Sequence, residues 1–218
     1  MNIVVLIPAY NAADTIGALV KKVKELGFFC VVVDDGSTDD TYKNASSAGV
    51  IVLKHEKNMG KGAALRTGFD YILKGGYDYI VTLDADGQND PLSIKDFIGK
   101  AEKSGASIIV GNRLLDTAGM PWIRVQTNRF MSWLLSKKIG QRVPDTQCGY
   151  KLIRKDLLAK LKLCANHYEI ESEMLIKAGK AGAKIDSVVV SSIYSGQKSH
   201  INPIVDTLRF IKLIMTLK

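Results

Sequence analysis

Two aspartates separated by one residue, Asp84 and Asp86, follow a short apolar stretch and precede Gln88. Carboxylates at positions i and i+2 just after a strand can converge on a hard divalent cation, which prefers oxygen ligands and keeps positions open for phosphate groups. We therefore predict a site for Mg²⁺ or Mn²⁺ at Asp84 and Asp86, with Gln88 as a further oxygen ligand. The alternative is an Asp-rich turn, because Asp and Gly are common turn residues.

A second acidic segment, Asp34-Asp35-Gly36-Ser37-Thr38-Asp39, also follows an apolar stretch. Its hydroxyl and acidic side chains suit the cap of a following helix. A carboxylate at a strand end can instead accept hydrogen bonds from a base or a ribose. Of the two aspartates, Asp35 is the predicted nucleoside ligand.

The segment Asn58-Met59-Gly60-Lys61-Gly62 has the composition of a phosphate-binding loop. It lacks the Walker spacing of Gly, four residues, Gly, Lys and Ser or Thr, which argues against an ATPase. No Gly-x-Gly-x-x-Gly follows the first apolar stretch, which argues against a nicotinamide dehydrogenase.

These residues must be positioned by strands and helices that alternate along the chain, a pattern typical of βα units in a mostly parallel sheet. The apolar stretches predict strands at residues 3–7, 28–33, 50–53, 79–83, 107–110 and 184–193. Helical periodicity predicts helices at 16–26 behind an Asp14-Thr15 cap, through 64–71, and at 122–138 and 171–179. The fold class is therefore α/β, with helices flanking the sheet. Since ligands bind outside the carboxyl ends of such strands, the polar clusters that follow them are predicted to share one site.

The composition of the chain limits the classes of partner that it is expected to bind. The 218 residues carry a formal net charge of +8, which favours anionic partners such as nucleotides, lipid phosphates or an acidic membrane surface. Nucleic acid is not predicted as a partner, because no basic run, zinc-finger spacing or RNP-like aromatic motif occurs. The three cysteines have no paired short spacing, so we predict neither disulfides nor a zinc site, and a reducing cytoplasm as the location.

The chain is predicted to form one domain over residues 1–200 and an amphipathic helix over 201–218. Arg209, Lys212 and Thr216 fall on a narrow stripe of that helix, and the rest of its circumference is apolar. One interpretation packs the helix on the domain, and the other lays it on a membrane surface. No apolar stretch reaches the ~20 residues that a helix needs to span a bilayer.

In their order, the motifs of this chain resemble those of the family 2 glycosyltransferases, and in particular the dolichyl- and undecaprenyl-phosphate sugar synthases. The resemblance covers nearly the whole chain. It is carried by Pro8-Ala9-Tyr10-Asn11, Asp34 to Asp39, Asn58 to Gly62, Asp84-Ala85-Asp86-Gly87-Gln88, Gly111-Asn112-Arg113, Asp145 to Tyr150 and Lys198-Ser199-His200.

The resemblance implies a GT-A fold, a UDP- or GDP-hexose donor and inversion at the anomeric carbon. It implies metal binding by Asp84, Asp86 and Gln88, where the cation neutralises charge on the leaving diphosphate. The remaining donor contacts that it implies are Pro8, Ala9, Tyr10, Asn11, Asp35, Lys61, Ala85 and Lys198. Ala12 departs from the family pattern, because many relatives have an acid there.

The resemblance also places Arg113, Arg129 and Asp145 in catalysis. The two arginines and Lys198 are predicted to surround the donor diphosphate or an acceptor phosphate; the alternative for each is a solvated surface charge. A hydroxyl acceptor needs a general base, for which Asp145 is the candidate, whereas a lipid phosphate is already anionic. Asp145 can alternatively serve as a structural cap of the turn before Cys148.

The acceptor implied by the resemblance is a polyprenyl phosphate. The alternatives are a saccharide hydroxyl in polysaccharide or glycan synthesis, or a catalytically silent nucleotide-sugar-binding module. The predicted location is the cytoplasm, with peripheral contact to the cytoplasmic face of the membrane or to a membrane protein.

Overall fold

The computed structural model describes residues 1–192 and 203–216, with side chains in the last helix described from Arg209 onward. In this part of the chain the strands are β1 (Ile3–Ala9), β2 (Phe29–Asp34), β3 (Ile51–Lys54), β4 (Tyr79–Thr82), β5 (Ile108–Asn112), β6 (Lys151–Arg154) and β7 (Ile185–Val189). The helices are α1 (Ala13–Glu25), α2 (Thr41–Ser47), α3 (Lys61–Ile72), α4 (Ile94–Ser104), α5 (Trp122–Ile139), α6 (Lys155–Leu158), α7 (Ile170–Lys180) and α8 (Pro203–Thr216).

The described strands form one sheet in the order β3-β2-β1-β4-β6-β5-β7. All neighbouring pairs are parallel except those that β6 makes with β4 and β5. The sheet is therefore mostly parallel, as predicted, and β6 is its reversed strand. The carboxyl ends of the other strands lie along one edge, where the polar motifs begin.

The position of the hydrophobic core follows from the apolar sequences of the strands. All seven residues of β1 are buried, because a central parallel strand is covered on both faces and so has a continuous apolar sequence. Helix α1 covers the sheet with Ile16, Leu19, Val20 and Val23, which recur at helical spacing.

The predicted Asp14-Thr15 cap of α1 is wrong. The helix begins at Ala13, so both residues belong to its first turn. The backbone N–H groups at its start donate to side chains that follow β2: Ala12 to Thr41 at 2.7 Å and Ala13 to Asp39 at 3.1 Å. Partners distant in the sequence thus satisfy the donors that a local cap satisfies elsewhere.

Helix α8 contacts the body of the protein. Phe210 is buried in the main core, and Leu213 and Ile214 pack against it, whereas Ile211 and Met215 are exposed. None of the helices described is both long and apolar enough to cross a membrane.

Candidate active site

The loops after β1 and β2 are joined by hydrogen bonds. Pro8 and Ala9 are buried in β1, and the backbone N–H of Asp35 donates to the carbonyl of Ala9 at 2.8 Å. Asn11 has a positive φ of 48°, which Asn tolerates better than most residues, and its side-chain oxygen accepts from the Thr38 N–H at 2.9 Å. Tyr10, partly buried, lies between Ala9 and Asn11. The predicted nucleoside ligands therefore belong to one cross-linked pair of loops.

Asp35 is occupied by protein partners. Its carboxylate accepts hydrogen bonds from the backbone N–H groups of Met59 at 3.0 Å and Gly60 at 2.8 Å. Nδ1 of His55 lies 2.6 Å from the same carboxylate, while Nε2 lies 2.9 Å from the hydroxyl of Thr67. Asp35 therefore fixes the loop that leads into α3, a role that the sequence did not indicate.

Close packing in the glycine-rich loop explains why residue 60 is a glycine. Its φ is +98°, and a Cβ there would lie 2.4 Å from the carbonyl oxygen of Asn166 and 2.5 Å from Nδ1 of His167. The segment before α7 thus packs directly on the start of α3. This contact explains a glycine that the sequence alone associates with phosphate.

Lys61, the first residue of α3, reaches the end of β4. Its ammonium lies 2.6 Å from Asp84 and 3.1 Å from Glu171. The other oxygen of Glu171 accepts from the ammonium of Lys151, which is fully buried and also donates to the carbonyl of Cys148. Two lysines and two acids therefore alternate in one network at the centre of the site.

The charges of this network set its protonation. Burial favours the neutral form of Asp84, but the charge and hydrogen bond of Lys61, together with the charges of Lys151 and Arg113, outweigh burial and lower the pKa of Asp84 below its usual value. Burial likewise favours neutral Lys61, yet Asp84 and Glu171 raise the pKa of Lys61 above its usual value. Burial and the nearby charge of Asp84 raise the pKa of Asp86. The charged form of Asp86 is thus disfavoured overall, although the charges of Lys61 and Arg124 offset part of this effect.

The donor set at the end of β4 fits a hard divalent cation that takes further ligands from phosphate. Asp84 and Asp86 supply carboxylate oxygens, and the backbone N–H of Gln88 donates to Asp86 at 2.9 Å. Thr15 holds the intervening residue by donating to the carbonyl of Ala85 at 2.5 Å. Among the described residues, no cluster of three or more His, Cys, Asp or Glu forms a complete protein cage for a metal.

Gly149 forms the wall behind Asp84. The hydroxyl of Thr82 donates to its carbonyl at 2.7 Å, across the β4–β6 pair. A Cβ at Gly149 would lie 2.4 Å from a carboxylate oxygen of Asp84 and 2.7 Å from the Lys61 ammonium. The close approach of this backbone therefore fixes the position of the Asp84–Lys61 pair.

Arg113 and Asp145 form a buried bidentate ion pair. The guanidinium donates to the two carboxylate oxygens at 2.8 and 3.0 Å, and the Arg113 backbone N–H donates at 3.1 Å. The Asp145 side chain is fully buried. Its contacts orient Arg113, and the charge of Arg113 helps to lower the pKa of Asp84.

Arg129 is exposed on α5, and Lys198 and His200 lie outside the described residues. Cys148 is buried, and burial raises the pKa of its thiol to about 11, which suits a packed side chain.

His55, Lys151 and Glu171 also belong to the site, although no motif in the sequence predicts them. For Glu171 the sequence offers one signal, the alternation of Glu169, Glu171 and Glu173 at the start of a helix. In the structure Glu171 and Glu173 are almost fully buried. Charged residues are rarely so buried unless they are paired. The signal for Lys151 was a lysine next to the apolar Leu152 and Ile153.

Comparison with known proteins identifies the class of the molecule. The profile of Glycosyl transferase family 2 matches residues 4–162, and the chain belongs to this family. The fold is the GT-A fold. Glucosyl-3-phosphoglycerate synthase of Mycobacterium tuberculosis, crystallised with Mn²⁺, UDP and glucosyl-3-phosphoglycerate, superposes with a TM-score of 0.74 at 22% identity, covering 99% of this chain and 77% of that one.

Curated relatives are similar over most of their length. UDP-N-acetylglucosamine–dolichyl-phosphate N-acetylglucosaminyltransferase of Methanococcus voltae is 32% identical, over 88% of this chain and 86% of its own. Undecaprenyl-phosphate mannosyltransferase of Micrococcus luteus is 27% identical, over 88% and 84%. An uncharacterized protein of Methanocaldococcus jannaschii is 34% identical, over 89% and 82%.

Proposed function

We propose that this glycosyltransferase moves a hexose from a UDP- or GDP-sugar to a polyprenyl phosphate, with inversion at the anomeric carbon and with Mg²⁺ or Mn²⁺. The observation that carries the proposal is the pairing of acidic and basic groups at one sheet edge. Asp84 and Asp86 lie there near Lys61, whose ammonium contacts Asp84, and the charge of Arg113, which Asp145 holds, also acts on Asp84. The names of the relatives supply the acceptor class.

On the donor side, Asp84 and Asp86, with Gln88, would hold the cation, which supplies charge neutralisation for the diphosphate. Lys61 is proposed to supply positive charge beside the diphosphate, because its ammonium contacts Asp84, one of the proposed ligands of the cation. Pro8, Ala9, Tyr10 and Asn11 would line the nucleoside. Asp35 would act indirectly, by fixing the loop that carries Lys61. Ala85 would separate the two aspartates, and Thr15 holds its carbonyl.

On the acceptor side, a phosphate oxygen attacks the anomeric carbon while the bond from that carbon to the nucleotide diphosphate breaks. The acceptor is already anionic at neutral pH, so the step needs cations to position it and no general base. Both oxygens of Asp145 accept from Arg113, so Asp145 is a positioning residue for that arginine. Arg129 and Lys198 are proposed as further cations for the acceptor phosphate.

The test is transfer of radiolabelled sugar from a panel of UDP- and GDP-sugars into organic-extractable polyprenyl phosphate, with Mn²⁺ or with EDTA. We expect product from one donor class with Mn²⁺, and none with EDTA or with Asp86→Ala. Incorporation into water-soluble saccharides alone would reassign the acceptor. Nucleotide-sugar binding without transfer to any acceptor would identify a catalytically silent binding module.

A further inference from the structure

Helix α5 exposes an unusual set of large side chains. Trp122, Ile123, Phe130 and Trp133 are between 52% and 73% exposed, and we call these four residues the aromatic face. The rings of Phe130 and Trp133 stack with centroids 6.0 Å apart, and the Lys137 ammonium lies 4.3 Å from the Trp133 centroid. Both tryptophans of the chain belong to this face.

The exposure does not come from a loosely attached helix. The opposite side of α5 buries Val125, Asn128, Ser132 and Leu135 at helical spacing. The Ser132 hydroxyl accepts from the backbone N–H of Thr146 at 2.9 Å. The helix is therefore fixed on one side, and the aromatic face is the side directed away from the protein.

The charge around this face has one sign. Residues 117–144 contain no Asp or Glu, and their basic residues are Arg124, Arg129, Lys137, Lys138 and Arg142. Aromatic rings with basic side chains on one face are typical of helices that lie in the head-group region of an anionic bilayer. An apolar face rimmed by cations is complementary to such a surface.

The face adjoins the candidate active site. Arg113 and Asp145 join the two ends of the segment that carries α5. Arg124, in the first turn of α5, is close enough for its charge to act on Asp86. The segment that carries the aromatic face is therefore connected to the candidate site at Arg113, Asp145 and Arg124.

We propose that the aromatic face of α5 docks on the surface of an anionic lipid bilayer and so holds the site at the level of the lipid head groups. This inference rests on the proposed function in one respect: it explains how an acceptor phosphate that cannot leave the membrane reaches Arg113. A second copy of the chain is the competing occupant.

The first test measures binding alone, without donor or acceptor. The protein is mixed with phosphatidylcholine vesicles that contain phosphatidylglycerol, and with pure phosphatidylcholine vesicles. Because both tryptophans lie on the face, we expect a blue shift of intrinsic fluorescence and co-flotation with the anionic vesicles. Absence of both signals would overturn the proposal.

Substitutions on the aromatic face test whether these residues are responsible for vesicle binding. The triple variant Trp122→Ser, Phe130→Ser, Trp133→Ser is expected to weaken vesicle affinity by at least about tenfold, measured by flotation. Its control is Phe29→Ser, a residue that is 65% exposed at the amino end of β2, far from the motif-bearing edge. Flotation of the triple variant equal to wild type would overturn the proposal.

Charge variants test the complementarity. Lys137→Gln with Lys138→Gln should weaken anionic-vesicle binding by about fivefold per lysine. The matched control is Lys43→Gln with Lys103→Gln, two exposed lysines on α2 and α4. An equal loss in both double variants would indicate a response to net charge and would overturn the assignment to α5.

Two further measurements, sugar transfer and sedimentation, distinguish failure of the docking proposal from failure of the proposed function. The triple variant should keep wild-type transfer to a short, water-soluble prenyl phosphate and lose transfer to vesicle-embedded acceptor. If vesicles bind but no prenyl phosphate is glycosylated, the proposed function fails and the docking surface stands. If the wild type self-associates in sedimentation, the triple variant does not, and neither binds vesicles, the face is an interface between copies and the proposal is wrong.

Discussion

The two sides of the site are built differently. The loops after β1, β2 and β3 are joined to one another by hydrogen bonds, centred on Asn11 and Asp35. The segment between β5 and β6 is closed at its ends by one buried ion pair, and its long helix exposes large apolar side chains. Loops fixed by hydrogen bonds suit the binding of a small ligand, whereas an exposed apolar helix face suits contact with a larger surface. Asp35 on the first side and Asp145 on the second are both held by protein partners. We therefore expect Asp86, which follows β4 between the two sides, to be the carboxylate that serves the ligand.

The largest effect is expected at Asp86. Asp86→Asn should lower transfer by about 10²–10³-fold, because it removes a charged ligand of the cation that is proposed to neutralise the donor diphosphate. Its carboxylate is repelled by Asp84, so the free energy of unfolding should stay level or rise. Steady-state kinetics and urea unfolding measure the two quantities. A large loss of stability would place Asp86 with the structural carboxylates and break the comparison.

The next effect separates Asp145 from Asp86. Asp145→Asn leaves Arg113 buried without its counter-charge, which is expected to cost about 3–5 kcal/mol in the free energy of unfolding. The control is Asp156→Asn, because the exposed pair of Asp156 with Arg154 contributes about 0–1 kcal/mol. Urea denaturation measures both.

A double-mutant cycle sharpens the role of Asp145. If Asp145 acts through Arg113, the losses of activity in Asp145→Asn and Arg113→Met should be strongly non-additive. Additive losses would give Asp145 a role of its own in the reaction, as a general base has.

A smaller effect is expected from a substitution at Gly149, whose backbone lies against Asp84. Gly149→Ala places a methyl group against the Asp84 carboxylate and should displace it, lowering transfer about tenfold and stability by about 1–3 kcal/mol. Gly99→Ala is the matched control, since a Cβ at this helical position has nothing within 4 Å. Equal activity of the two variants would show that the close approach does not position Asp84.

The smallest effect concerns the thiols. Burial raises the pKa of Cys30 to about 12 and that of Cys148 to about 11, whereas Cys164 is exposed. We expect one rapid equivalent in a thiol titration of the native protein, lost in Cys164→Ser, and all three after denaturation. Rapid labelling of Cys148 would show that the β6 side of the site opens in solution.

The strands could be predicted from the sequence to within a few residues, because β1, β2 and β4 are buried apolar stretches that end at polar motifs. Strand β6 is the exception, because no strand is predicted at its four residues and the pairing of strands distant along the chain decides its direction. The same limit applies to the site. Asp84 and Asp86 could be found from spacing, but the contacts of Lys61 with Glu171 depend on how α3 and α7 meet.

The reversed direction of β6 has a consequence for the exchange of parts between related enzymes. The chain leaves the sheet after Asn112 and returns at Lys151 on the same edge, and Arg113 and Asp145 clasp the two ends. Residues 114–144 therefore form a cassette with adjacent entry and exit points. Grafting this cassette from another family member would change the surface that the enzyme recognises, while the strands that carry Asp84 and Asp35 keep their register.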